Sequence, residues 1–161
     1  MAKKPIMHFK SNEQFMEYAK WWQHRLNLDS WFIKFELCAE AEYIESEDED
    51  GVVTYLGMTQ FNFINKQATV KVTNNVACGE LSLVHELCHL LTPFIELSDM
   101  SEKSYQENAF RNHIIHQALE ELAKDLILVK YPSIDREFFM CELDDLMGAE
   151  NGKNKKNKRI L

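Results

Sequence analysis

The decapeptide SLVHELCHLL at residues 82–91 constrains this chain more than any other stretch, because its core is H-E-x-x-H. On an α-helix, residues four apart lie about 40° from one another, so His85 and His89 project from one face and can converge on a single tetrahedral cation. Zinc suits two imidazoles at this spacing. Glu86 stands one step round the helix, where its carboxylate can reach a metal-bound water without being a ligand, the position of a general base. Leu81, Val84, Leu87, Leu90 and Leu91 supply apolar contacts, Pro93 closes the helix, and Glu80 lies in its first turn, where the dipole favours an acid. Histidines embedded among Leu and Val are costly without a partner, which argues against a solvated pair. Cys88, at a variable position of the motif, reads as a small apolar residue on the packed side.

A chain of 161 residues with 45% apolar content has the size and composition of one globular domain, here residues 1–150, followed by a basic tail at 151–161 expected to be disordered. The net charge is −8, yet Lys153, Lys155, Lys156, Lys158 and Arg159 all lie in that tail, so the body is more acidic still. Phosphates would be repelled by the body, which leaves nucleic acid at most a weak contact through the tail. No apolar run is long enough for a signal peptide or a membrane span, so cytoplasm is the expected location. Cys38, Cys78, Cys88 and Cys141 are dispersed without a C-x-x-C pair, a pattern of reduced thiols.

Apolar spacing predicts a helix from Ser11, capped with Gln14 three residues on, through Phe15, Met16, Tyr18, Ala19, Trp22 and Leu26, ending near Asn27 or Asp29. Trp21 and Trp22 read as core rather than as an exposed platform, and His24 as solvated. Ile33, Phe35 and Leu37 alternate with Lys34 and Glu36 in a half-buried strand. The acidic run 40–50 is a loop or hairpin turn without the ligand spacing of a calcium loop. Residues 52–64 form one long strand or two short ones, with Gly57 a possible bulge, and Asn65-Lys66-Gln67 turns the chain into a strand at 68–73. Helix, a meander of about three strands, then the H-E-x-x-H helix indicates α+β architecture. A second long helix is predicted from Ser104 to about Lys130, with an apolar stripe of Phe110, Ile114, Ala118, Leu119, Leu122, Leu126 and Ile127. A short helix follows over 134–147, with Phe138, Phe139 and Leu143 inward.

Two histidines need a third protein ligand if water is to take the fourth position on zinc, and the second long helix must provide it. Here the chain resembles the zincin metallopeptidases of the gluzincin type, specifically small phage-associated or SprT-like proteins with a helix, a short sheet, H-E-L-x-H-L-L and a second helix in this order. The resemblance spans residues 15–128, and His85-Glu86-Leu87-Cys88-His89 is its specific motif. It implies a zincin-like fold with a small antiparallel or mixed sheet, and peptide hydrolysis on zinc with an edge strand lining the cleft near residues 61–65. It also implies a third ligand from a later helix, usually Glu. His116 and Glu120 rank first for that role, as a pair four apart, then Glu121, Glu107 and His113. With Glu120 as ligand the site is of the His, His, Glu type; with His116, Glu120 would orient the ring. Tyr105, Tyr131 and His113 are candidates to stabilise an oxyanion.

The expectation is therefore a cytoplasmic zinc metallopeptidase acting on a peptide or protein, with Glu86 as base. One rival is a catalytically silent zinc-binding interaction or regulatory module of phage or mobile-element origin, although a purely structural site has no need of Glu86 and would be closed by four protein ligands. The other is a DNA-associated SprT-like protease recruited through the basic tail.

Overall fold

The structure, a computed structural model, describes residues 4–38, 43–44, 53–54, 57–74, 79–92 and 105–139. The first helix, α1, spans Asn12–Arg25. Ser11 caps it: its Oγ accepts from the Gln14 amide at 3.3 Å, and the Gln14 side chain reaches back to the Lys10 amide at 2.8 Å. This satisfies donors that a helix N-terminus otherwise leaves to solvent. Asn27, in the left-handed region at φ 57°, stops the helix, and the buried Gln23 amide donates to the carbonyls of Leu28 and Trp31, fixing the link to the first strand. Trp22 is buried, as its helical spacing predicts. His24 is solvated but lies 2.7 Å from Asp29, a partner the sequence did not suggest.

The main sheet contains β1 (Phe32–Cys38), β4 (Gly57–Asn62) and β5 (Gln67–Thr73), in the order β1-β5-β4. The short strands β2 (Tyr43–Ile44) and β3 (Val53–Thr54) pair antiparallel and bracket the acidic run, most of which lies outside the described residues. The expected meander is corrected here. β5 takes the centre, antiparallel to β4 across the Phe63–Lys66 turn but parallel to β1, so the sheet is mixed. Burial explains the choice: Val70 and Val72 are completely buried, and the central position suits the strand with the most apolar inner face. Gly57 is not a bulge, since the register runs unbroken from Gly57 opposite Val72 to Asn62 opposite Gln67.

Ile33 and Phe35, Ala68, Val70 and Val72, and Gly57, Thr59 and Phe61 share the inner face of the sheet, and the helices pack there. The second helix, α2 (Gly79–His89), lies across β5 and β4 and also touches α1. Leu83, Val84, Leu87 and Cys88 are fully buried along it, each Leu or Val contributing about 1.5–3 kcal/mol relative to exposure. The expected stop at Pro93 lies outside the described residues, but α2 already tightens after His89, where Leu90 and Leu91 donate to the carbonyls of Leu87 and Cys88.

The third helix, α3 (Tyr105–Lys130), packs along α2. Among its described side chains, those of residues 111–130, Leu119, Ala123 and Ile127 are buried, whereas Ile114 and Leu122 of the expected stripe are exposed. The docked face is thus rotated toward His116, which stands within about 20° of Ala123 and Ile127 on the helical wheel. The α3 sequence is only weakly amphipathic, so the shape of α2 rather than its own pattern selects its face. Residues 137–139 are helical and Phe139 is buried, as expected; the rest of the short helix and the basic tail lie outside the described residues. Among the described residues no helix is long and apolar enough to cross a membrane.

Candidate metal centre

Helical spacing aligns His85 and His89 on α2, with ring centroids 5.1 Å apart. The tertiary fold adds His116 from α3, its ring 5.7 Å from that of His85 and 5.0 Å from that of His89. One nitrogen from each of the three rings lies within 4.8 Å of the others, a spacing a single cation can bridge. His89 is buried, His85 half-buried and His116 exposed, so the cluster has a dry floor and one side open to solvent.

Glu86 is not a member of this cluster. Its buried carboxylate is turned onto strand β4, where the Thr59 hydroxyl lies 2.8 Å from both Oε2 and the Glu86 main-chain oxygen. Gly57, on the same face of β4, leaves the space that Oε1 occupies, since a Cβ there would stand 2.5 Å from it. Cys88 is buried on the packed side, and that burial, reinforced by the charge of Glu86, pushes its thiol up to about 12.

The other second-helix candidates are placed elsewhere. Glu120 is half-exposed and forms an ion pair with Lys124 at 2.8 Å, outside the histidine cluster. Glu121 is bound by Lys124 and Arg136, whose hydrogen bonds first, and then their charges, hold its carboxyl below the usual range. His113 is exposed on α3 and likewise outside the cluster. The side chains of Glu107 and Tyr105 fall outside the described part of the structure. Tyr131 is buried with its hydroxyl 2.9 Å from Glu80, so it is committed to the far end of α2.

No protein-family model, curated protein or solved structure matches this chain. The site therefore has to be judged on its own chemistry.

That chemistry depends on how α2 and α3 are held in register. Glu80, fully buried in the first turn of α2, accepts from Trp22 Nε1 at 2.9 Å, from Lys130 Nζ at 2.6 Å, from the Tyr131 hydroxyl and from the Ile6 amide at 2.9 Å. In the sequence Glu80 has only a favourable place on the helix dipole; an isolated acidic letter gives no sign that Lys130, 50 positions later, is its partner. The Glu80–Lys130 pair joins the start of α2 to the end of α3, and this antiparallel alignment sets His116 opposite His85 and His89. The N-terminal segment closes the same end, since the Met7 and Ile6 carbonyls accept from the Gly79 and Glu80 amides. Thr59 carries no signal in the sequence, where a threonine in a strand is unremarkable, and Gly79 reads there only as punctuation at the entry to α2.

Proposed function

We propose that this chain is a zinc-dependent metallopeptidase in which His85, His89 and His116 hold the ion and Glu86 is the general base. The observation that carries this reading is the convergence of three imidazole nitrogens within 4.8 Å beside a buried carboxylate on the same helix turn. Three neutral nitrogen donors suit zinc, a borderline-soft ion content with tetrahedral sites, and the exposed side at His116 leaves a position for solvent. When bound there, zinc supplies Lewis acidity toward a carbonyl and lowers the pKa of its water.

The protein's own groups have distinct tasks. The imidazoles orient the ion and exclude water on the buried side. Glu86 takes a proton onto its carboxylate and returns it to the leaving amine, roles that require one carboxylate to be held still through both transfers. The acidic body and the open side of the cluster are compatible with an extended peptide approaching along the sheet edge at β4. The presence of Glu86 and the three-donor cluster both favour this reading over a silent zinc module, whose site would be closed by a fourth protein ligand.

Metal content and hydrolysis test the proposal together. Elemental analysis of the purified chain is expected to give one zinc per molecule, lost in His89→Ala and His116→Ala. Zinc-loaded protein is expected to cleave unfolded casein, with Glu86→Gln abolishing cleavage while keeping the metal. A wild-type chain that takes up no zinc would reduce the motif to a helix face.

A further inference from the structure

The carboxylate of Glu86 is held by strand β4, not by its own helix, and on that contact we propose that Thr59 and Gly57 are positioning residues that keep Glu86 beside the histidine cluster as a base and out of the coordination sphere as a ligand. The inference rests on the metallopeptidase reading and adds to it the part of the sheet that makes the base competent.

A glutamate on a helix has three side-chain torsions, and without constraint its carboxylate sweeps an arc of several ångströms. Here the arc is closed. Thr59 Oγ1 lies 2.8 Å from Glu86 Oε2 and 2.8 Å from the main-chain oxygen of the same residue, so one hydroxyl spans the root and the tip of the side chain. A hydroxyl has one proton to donate, and it can serve either oxygen by rotating about its own bond without moving the carboxylate. The second oxygen is held by shape. Oε1, Cγ and Cδ of Glu86 would lie 2.5, 2.8 and 2.9 Å from a Cβ at position 57, so any larger residue there must displace this carboxylate, and glycine leaves it the space it occupies. Backbone freedom is not the reason, because Gly57 is an ordinary extended residue in unbroken register with Val72.

The two contacts come from one strand through the period-two alternation of β4, which puts residues 57 and 59 on the face that meets α2. Burial gives the arrangement its force. Glu86 is only 7% exposed, so protein groups rather than solvent set where its carboxylate lies, and loss of the threonine hydroxyl frees it to turn toward a cation held by His85, the adjacent residue on α2. A carboxylate that ligates the cation no longer serves as its base.

The test uses the full chain, loaded with cobalt(II) in place of zinc, as wild type, Thr59→Val, Thr59→Ser and Gly57→Ala. Four-coordinate cobalt absorbs much more strongly in the visible than five- or six-coordinate cobalt, so the spectrum reports whether a carboxylate has joined the sphere. One cobalt per chain is expected in all four. Thr59→Val and Gly57→Ala should lose visible intensity through added coordination, and Thr59→Ser should restore the wild-type spectrum. With zinc and unfolded casein, the same two variants should lose kcat by about 10- to 100-fold at unchanged KM, again with rescue by serine.

A wild-type spectrum in both Thr59→Val and Gly57→Ala would overturn the inference. So would a loss of stability in Thr59→Val with kcat intact, since that is the signature of a packing role alone. If the wild type binds cobalt yet cleaves nothing, the peptidase reading fails on its own, and the spectral shift with serine rescue still supports the positioning role. A wild type that takes up no cobalt overturns both.

Discussion

Lys130 Nζ lies 2.6 Å from Glu80 Oε1 inside a box of aromatic rings, 4.0 Å from the centroid of Trp21, 4.4 Å from Tyr18 and 4.9 Å from Trp22. Neither charge is open to solvent, with the lysine side chain 6% and the glutamate 0% exposed. Desolvation of both groups opposes the Coulomb attraction of such a pair, so its net contribution is modest, but removing Lys130 leaves the Glu80 charge buried with only the neutral donors Trp22, Tyr131 and Ile6. Lys130→Met is therefore expected to cost about 3–5 kcal/mol in urea denaturation. The double variant Lys130→Met with Glu80→Gln should recover part of that loss, and strictly additive losses would refute the pairing.

Tyr131 makes the stability of the same cluster depend on alkali. Burial first, then the charge and hydrogen bond of Glu80, push its phenol far above the ordinary value of 10.0. In the unfolded chain the phenol ionises above that pH, while in the folded chain it keeps its proton, so folding then takes up a proton and stability falls by up to about 1.4 kcal/mol per pH unit. Lys130, held below 10.5 mainly by burial, acts in the opposite sense, but its contribution is complete once the pH passes the ordinary lysine value. Above that point the tyrosine governs. Denaturation midpoints of Tyr131→Phe should decline less steeply than wild type over this range, and an equal slope would exclude Tyr131 as the source.

Asn74 ties the amino-terminal segment to the end of β5. Its side-chain oxygen accepts from the Phe9 amide and its nitrogen donates to the Phe9 carbonyl, both at 2.8 Å, so one side-chain amide imitates a neighbouring strand. Asn74→Ala leaves a part-buried backbone pair unmatched and should cost about 1–3 kcal/mol. Hydrogen exchange of the Gly79 and Glu80 amides, which donate to Met7 and Ile6, should accelerate with it. Unchanged protection would mean that the segment is held by Phe9 and the Ile6–Glu80 contact alone.

On the proposed site, His116 and Glu120 give opposite expectations although they stand one turn apart. His116→Ala should lose zinc while keeping the fold, because the residue is exposed and contributes little to packing. Glu120→Gln should keep zinc and change stability by less than about 1 kcal/mol, because its ion pair with Lys124 is at the surface. Retention of zinc by His116→Ala and loss by Glu120→Gln would reverse the assignment.

Much of this molecule is legible in its sequence wherever the governing rule is local. The cap at Ser11, the burial of Trp22 and the long helix ending at Lys130 follow from spacing and end signals, and the structure agrees with each; for residues 52–64 the sequence leaves one long strand or two short ones open, and the fold takes two. His85 and His89 share a face because four residues make slightly more than one helical turn, whatever surrounds them.

Relations across the chain were set by the tertiary structure alone. The parallel pairing of β1 with β5 depends on which strand is buried deepest, and strand letters do not encode neighbours. The docked face of α3 was misjudged by a fraction of a turn, because Ile114 and Leu122 are as apolar as Leu119 and Ile127, and only the surface of α2 discriminates between them. That rotation carries His116 toward the two motif histidines and leaves Glu120 with Lys124. Glu80, Thr59 and Gly57 were silent for the same reason: a buried acid, a threonine bridging a carboxylate and a glycine that makes room for one look, in one dimension, like a solvated acid, a strand residue and a bulge. Sequence determined the elements and the two histidines that one helix aligns, because bonded geometry fixes both; packing decided which distant side chains meet them, because shape and burial are properties of surfaces that exist only once the chain has folded.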